Sequence, residues 1–161
     1  MNSKEYNQSV DLYSDNIYRF ILKNIRDEEH ARDIVQDSYE KLWRNIENVN
    51  SEKVKSYLFT TAYHTMIDVI RKEKRQTSIE DYPVAEETHD EQYSDLSEVL
   101  NEAVKRLPEI QRTVILLRDY EGYSYKEIGE CTLLSEAQVK VYIYRARVFL
   151  KNYIGKMEVV V

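Results

Sequence analysis

The sequence predicts an all-α protein in which two small helical domains are joined by a flexible acidic linker. The 161 residues include only 3 glycines and 2 prolines, too few for a turn-rich β fold or a glycine-rich phosphate loop. Apolar residues recur at three- and four-residue spacing on both sides of residues 76–95. That segment carries 7 acidic side chains and no Lys or Arg, which is typical of a solvated linker. We therefore place the domains at residues 1–75 and 96–161.

Composition and charge narrow the possible functions. The first 25 residues mix charged and apolar side chains, and no aliphatic run could cross a bilayer, so we expect a cytoplasmic protein without a membrane span. One cysteine, Cys131, and three dispersed histidines predict no disulfide, metal site or other cofactor. The net charge of −6 arises in the linker, because each domain holds nearly equal numbers of acidic and basic groups. It therefore does not exclude a nucleic-acid partner.

Three helices are predicted in the first domain. The first spans about residues 10–25, and the second follows Asp27, whose side chain can cap a helix that bears apolar residues, including Trp43, to about Ile46. The third spans about residues 54–75, with Leu58 and Met66 on its core side. Three amphipathic helices are sufficient for a small bundle.

The third helix also carries a stripe of aromatic and polar side chains away from its core side. Rings can stack on unpaired bases while basic groups hold phosphates, which is how proteins grip single-stranded DNA. The stripe comprises Tyr57, Thr61, His64, Asp68, Arg71 and Arg75. The alternative is an ordinary solvated face, and the spacing alone leaves both interpretations open.

The second helix and the segment after it are polar on one side. Asp33, Gln36, Asp37 and Glu40 lie away from Trp43, and by themselves they favour a solvated surface. Residues 45–51, with the sequence NIENVNS, predict a polar loop between the second and third helices.

The second domain contains two capping boxes 11 residues apart. Ser124 pairs with Glu127, and Ser135 pairs with Gln138, so two helices begin in quick succession. This spacing predicts a helix-turn-helix whose second helix runs to about residue 153. Two preceding helices, at about residues 96–107 and 108–120, with Gly122 ending the latter, complete a four-helix domain.

The second helix of this motif has a basic outer face. Lys140, Tyr144, Arg147 and Lys151 project together, whereas Val139 and its helical neighbours fall inward. Ordinary surface cations are the alternative, but adjacent capping boxes with a one-sided basic face favour a helix that reads the major groove.

The two domains together resemble a known family. The segments ARDIVQDSYEKLW and YLFTTAYHTMIDVIRKEKR resemble region 2 of sigma factors of the extracytoplasmic-function class, within the sigma-70 family. The segment LPEIQRTVILLRDYEGYSYKEIGECTLLSEAQVKVYIYRARVFL resembles their region 4. Many regulators carry a similar helix-turn-helix, whereas both regions in this order are specific to the family.

This resemblance implies a subunit that binds core RNA polymerase and directs promoter recognition, −10 melting and transcription initiation, with an anti-sigma factor as a further partner. The polymerase would contact Asp33, Gln36, Asp37 and Glu40. The −10 element would be captured by Asn45, Asn48, Asn50, Ser51, Tyr57, Thr61, His64, Arg71, Lys72 and Arg75. The −35 element would be read by Ser135, Glu136, Gln138, Lys140, Tyr144, Arg145 and Arg147. The acidic linker would lie in a basic channel of the polymerase.

Several residues depart from the family pattern. Tyr63 and His64 replace a usual Arg-Asn pair, Leu133 replaces a turn glycine, and Val141 with Tyr142 replaces a common Ser-Arg pair. Two other functions stay open: an autonomous helix-turn-helix regulator, and a polymerase-binding protein that does not initiate. An enzyme with a small-molecule substrate is not expected, because no nucleophile, base and orienting group can be assigned by spacing.

Overall fold

The computed structural model describes residues 1–76 and 95–160, with side chains described within 1–76 and 96–156. These residues form seven α-helices and no strand, so the all-α prediction is confirmed. The helices are α1 (Ser3–Ile25), α2 (Glu28–Arg44), α3 (Val54–Gln76), α4 (Asp95–Arg106), α5 (Glu109–Ile115), α6 (Tyr125–Thr132) and α7 (Glu136–Val160). A 3₁₀ turn, Ser51–Lys53, precedes α3, and a π-helical turn, Leu116–Tyr120, extends α5. The predicted flexible linker falls almost wholly outside the described residues.

Capping residues set the start of the first two helices. The side chain of Asn2 accepts a hydrogen bond of 2.9 Å from the amide of Glu5, so α1 begins seven residues earlier than its apolar spacing predicts. Arg26 ends α1 with φ 55°, and Asp27 then caps α2 by accepting from the amide of His30 at 3.1 Å. The cap predicted at Asp27 is confirmed.

The first three helices pack as a bundle. Large fully buried side chains from all three helices form the core, among them Ile17, Phe20, Leu42, Leu58 and Met66. Trp43 was predicted on the packed face of α2, but it is 51% exposed and meets the edge of Tyr6, with ring centroids 5.1 Å apart. That assignment is wrong, because the long N-terminal part of α1 covers only one side of the indole.

The second domain contains the predicted helix-turn-helix. Both capping boxes are present, with the Ser124 and Glu127 pair and the Ser135 and Gln138 pair each making two reciprocal hydrogen bonds of 3.0–3.1 Å. Gly122 follows the π-helical turn with φ 75°, a conformation that suits glycine. The last helix, α7, continues to Val160, seven residues beyond the predicted end.

The two domains share an interface that the sequence did not predict. Phe59 of α3 is 1% exposed and meets the ring of Tyr123 edge-on, with centroids 5.4 Å apart. Asn24 of α1 is buried and accepts hydrogen bonds from Arg112 at 3.2 Å and Thr113 at 3.3 Å, both in α5. A buried, satisfied polar group favours one specific packing over others, so these contacts define how α1 and α3 lie against the second domain.

Candidate protein and nucleic-acid interfaces

The polar face of α2 is exposed and held by ion pairs. Asp33, Gln36 and Glu40 are exposed, and Asp37 is half-buried on the same side of the helix. The Asp37 carboxylate lies 3.1 Å from Lys41 Nζ, which in turn donates to Thr65 Oγ1 of α3 at 3.1 Å. Exposed ion pairs of this kind add little stability, so a partner can replace this one at small cost. Lys41 meanwhile links the acidic face of α2 to α3.

The loop between α2 and α3 is ordered by its own polar residues. Asn50 caps the 3₁₀ turn by accepting from the amide of Glu52 at 3.1 Å, and Val49 is buried beneath the loop. Asn45 Nδ2 donates to the hydroxyl of Tyr57 at 3.2 Å, and that hydroxyl donates to the carbonyl of Lys41 at 3.4 Å. The structure therefore brings the predicted loop and the start of the α3 stripe together.

The rest of the α3 stripe becomes more exposed toward the end of the helix. Thr61 and His64 are half-buried, and the ring of His64 meets that of Tyr63 edge-on at 5.3 Å. Arg71, Lys72 and Arg75 are exposed, as is Asp68. From Tyr57 to Arg75 the stripe is about 27 Å long at 1.5 Å per residue. The stripe thus runs from an end with the rings of Tyr57 and His64 to an end with exposed cations.

Phe59 and Tyr63 lie on another side of α3, and sequence reasoning missed their role. Tyr63 is buried, and burial raises the pKa of its hydroxyl, which Glu109 and Cys131 of the second domain raise further. Burial also raises the pKa of the Cys131 thiol to about 11, so this cysteine is no nucleophile. On a helical wheel Phe59 lies about 20° from Met66, on the predicted core side of α3, so the sequence pattern held no separate signal for an interface.

The helix-turn-helix is fixed by a close approach of backbone atoms. A Cβ added at Gly129 of α6 would lie 2.7 Å from the carbonyl oxygen of Leu134, so only glycine fits where α6 meets the turn. Leu133 occupies the left-handed region with φ 63° and is 78% exposed. The position that usually holds glycine therefore keeps its conformation with a leucine in place.

The basic residues of α7 differ in what they contact. Lys140 Nζ lies 5.6 Å from the centre of the Tyr125 ring, and Arg145 lies 6.0 Å from that of Tyr142. Arg147 donates to Asp119 at 2.7 Å, and this hydrogen bond raises the pKa of the guanidinium above its ordinary value. Ser135, Glu136, Gln138 and Tyr144 are exposed along the same helix. The structure thus gathers all the predicted −35 residues on α7 and its cap.

A cluster of charges lies between α1, α3 and the turn before α6. Lys23 Nζ lies 3.7 Å from the centre of the Tyr120 ring. Burial raises the pKa of the neighbouring Glu121, whereas the positive charges of Lys55, Arg19 and Lys23 lower it. The cluster contributes to the contact between the domains.

Neither a metal centre nor a membrane-spanning helix is found within the described part of the chain. Residues 1–76 and 95–160 contain no group of three or more His, Cys, Asp or Glu side chains placed to hold a metal ion. Within those same limits, no helix is both long enough and apolar enough to cross a membrane.

Comparison with known proteins gives consistent matches over both domains. Residues 10–76 match the family model of Sigma-70 region 2, and residues 97–150 match that of Sigma-70, region 4. The chain is 30% identical over 145 residues to the ECF RNA polymerase sigma factor SigM of Bacillus subtilis, covering 87% of this chain and 89% of that protein. It is also 30% identical over 147 residues to the sigma factor SigV of the same organism, covering 89% and 87%.

Solved structures show the same fold. The sigma factor RpoE, in complex with the anti-sigma factor NepR from Bartonella quintana, matches with a TM-score of 0.80 at 23% identity, covering 94% of this chain and 98% of that one. CnrH, in complex with the cytosolic domain of CnrY, matches with a TM-score of 0.69 at 19% identity, covering 96% and 90%.

Proposed function

This chain belongs to the extracytoplasmic-function class of the sigma-70 family. From that membership we propose which of its surfaces contact the polymerase and which contact the promoter. It is an alternative sigma factor that binds core RNA polymerase and promoter DNA and directs transcription initiation. Residues 1–75 act as region 2, residues 96–161 as region 4, and residues 76–95 as the linker between them. The matches at residues 10–76 and 97–150 support this division.

The acidic face of α2 docks on the core polymerase. Asp33, Gln36, Asp37 and Glu40 form this face, and its support is the exposure of the first, second and fourth beside a half-buried Asp37, on one side of a helix whose other side is buried. Acidic groups on a rigid surface steer association with a basic partner and fix its orientation. The link from Asp37 through Lys41 to Thr65 couples this docking face to α3.

The α2–α3 loop and the stripe of α3 capture the −10 element. Asn45, Asn48, Asn50 and Ser51 supply polar groups that can hold an unstacked base, and Tyr57 lies in hydrogen-bond contact with Asn45. Further along the stripe lie Thr61, His64, Arg71, Lys72 and Arg75. The three cations in this group are exposed and hold the phosphates of the separated strand.

The helix that begins after Ser135 reads the −35 element. Gln138 and Glu136 lie in its first turn, where a reading helix contacts base edges. Lys140, Arg145 and Tyr144 extend the contact along the helix, and Arg147 adds a cation that Asp119 holds in place.

The single observation that carries this function is the presence of both regions, in order, in one chain that is 30% identical to sigma factors over nearly its whole length. The protein acts as a DNA-binding initiation factor with no catalysis of its own, and it works in the cytoplasm with the polymerase. An anti-sigma factor regulates it. The support for that partner is the shared fold with RpoE, which was solved with an anti-sigma factor.

Run-off transcription tests the proposed function. The purified full chain is mixed with core polymerase and a library of promoter fragments, and transcripts are sequenced. We expect selective transcripts only when both proteins are present. Binding of duplex DNA with the same selectivity in the absence of polymerase would instead indicate an autonomous regulator. Polymerase binding without transcripts would indicate a protein that occupies the enzyme but does not initiate.

A further inference from the structure

The DNA-facing side of α7 is apolar along its centre. Val139, Ile143 and Ala146 are at most 2% exposed and mark the side of α7 that packs on the domain. At 100° per residue, the positions opposite to them are 137, 141, 144 and 148. These positions hold Ala137, Val141, Tyr144 and Val148, which are all exposed. We name these four residues the apolar ridge.

Polar and basic side chains flank the apolar ridge on both sides. At the same angular spacing, Lys140, Arg147 and Lys151 lie on one flank, and Gln138, Arg145 and Asn152 lie on the other. A helix in the major groove has a phosphate backbone on each side and base edges in front of it. Each flank carries at least one cation that can contact a phosphate backbone, and the start of the apolar ridge, Ala137 and Val141, is the part that meets the bases.

Among the base edges of the major groove, only the C5 methyl group of thymine is apolar; the others are hydrogen-bond donors and acceptors. A valine leaves such polar groups unpaired, whereas it buries a methyl group favourably. Val141 is 45% exposed and lies in the second turn of the helix, within the part that enters the groove. Building on the proposed function, we propose that Val141, with Ala137 beside it, recognises thymine methyl groups in the −35 element.

Val148 provides a matched control on the same ridge. It is 40% exposed, close to the value for Val141, but lies about 10.5 Å further along the helix axis. The N-terminal residues of a reading helix contact the base edges, so Val148 falls outside the base contacts when the start of α7 is inserted. Val141→Ala and Val148→Ala thus make the same chemical change at two positions along the helix.

Replacing thymine by deoxyuridine removes the methyl group and keeps every hydrogen-bonding group. Starting from a promoter selected in run-off transcription, each −35 thymine on either strand is replaced in turn, and the affinity of holoenzyme is measured. We expect the affinity of holoenzyme to fall about three- to fivefold when the thymine at one or two −35 positions is replaced, which is the effect of losing one buried methyl group. With Val141→Ala, the same replacement should change affinity less than twofold. With Val148→Ala, the loss should equal that of the parent.

Other variants separate this inference from the proposed function. Lys140→Ala should weaken binding to thymine and deoxyuridine promoters equally and lower the salt dependence, as a phosphate contact does. A parent that initiates selectively but tolerates deoxyuridine throughout the −35 element would overturn the inference alone, as would a Val141→Ala variant with undiminished sensitivity. A parent that shows no selective initiation with unmodified promoters would overturn the proposed function.

Discussion

Arg147 of α7 donates a hydrogen bond of 2.7 Å to the carboxylate of Asp119, in the π-helical turn that ends α5. This contact ties α7 to the helix that precedes the helix-turn-helix motif. Both side chains are about half exposed, so solvent screens the charge interaction and the pair contributes modestly to folding. The guanidinium is thus held in a fixed position, with part of its surface still open to a phosphate.

The first prediction concerns the stability that this pair provides. Arg147→Ala and Asp119→Asn should each lower the free energy of unfolding by about 0.2–1 kcal/mol, the range for exposed pairs. The double variant should lose less than the sum, because either single change already breaks the contact. Urea unfolding of the full chain measures these values. Strictly additive losses would show that the two groups do not interact in solution.

The second prediction concerns the acidic face of α2. Asp33→Lys should weaken binding to core polymerase about tenfold or more, because the introduced lysine would face a basic surface of the polymerase and be repelled by it. Helix content should be unchanged, since Asp33 is exposed. Asp15→Lys, an equal charge change at an exposed site of α1, serves as the control and should bind as the parent does. Equal affinities for all three proteins would remove this face from the polymerase interface.

The sequence predicted those features of the fold that local chemistry determines. Asp27, Ser124 and Ser135 start helices because a side chain beside the first turn satisfies a free amide. The buried interface around Phe59 and Asn24 was not predicted, because its partners lie more than 60 residues away and leave no local pattern.

The candidate site was predicted less completely than the fold. The basic residues of α7 stood out because charges at helical spacing are easily recognised. Val141 was noted only as a departure from the family, although its position opposite Val139 would have placed it at the centre of the outer face. A search for cations alone finds the flanks of a reading helix and overlooks its apolar centre.

The third prediction concerns the strained turn of the helix-turn-helix. Leu133 has φ 63°, a conformation that costs about 1–2 kcal/mol for a residue with a Cβ. Leu133→Gly removes that cost but adds conformational entropy to the unfolded chain, so we expect a net gain of about 0.5–1 kcal/mol in the free energy of unfolding. Leu133→Ala, which keeps the strain, is the control and should gain nothing. A glycine variant no more stable than the alanine variant would show that the turn is unstrained.

The fourth prediction concerns the pH dependence of stability through Glu121. Burial raises its pKa despite the opposing charges of Lys55, Arg19 and Lys23. Between the ordinary and the raised pKa, the folded protein binds more protons than the unfolded chain, so stability falls as the pH rises through this window. Glu121→Gln removes the titration. The free energy of unfolding of the parent minus that of the variant should therefore decrease as the pH rises from about 4 toward neutrality.

A matched variant isolates the effect of Glu121. Glu130 is an exposed glutamate of α6, and Glu130→Gln makes the same chemical change away from the cluster of cations. The effect of Glu121 is the part of the pH dependence that Glu121→Gln shows and Glu130→Gln does not. If the Glu121→Gln difference rises with pH instead, the cations outweigh burial and the sign of the shift is reversed.

The fifth prediction uses Cys131 to report on the interface between the domains. Cys131 is 7% exposed, and its thiol makes a hydrogen bond with Thr60 of α3. With its pKa raised to about 11 by burial, the thiolate fraction at neutral pH is about a hundredfold or more below that of an ordinary cysteine. Alkylation of the free protein by iodoacetamide should therefore be slow, as followed by mass spectrometry of the peptide that contains Cys131.

Formation of holoenzyme should increase this reactivity. The proposed function assigns α3 to the −10 element and α7 to the −35 element, so we expect the two domains to move apart to reach both, which would uncover the thiol. We expect alkylation to become at least tenfold faster on binding core polymerase and promoter. Asn24→Ala should accelerate it in the free protein, because two donors of α5 lose their acceptor. Asn7→Ala, the same change at an exposed position of α1, is the control. An unchanged rate in holoenzyme would mean that the α3–α6 contact persists during initiation.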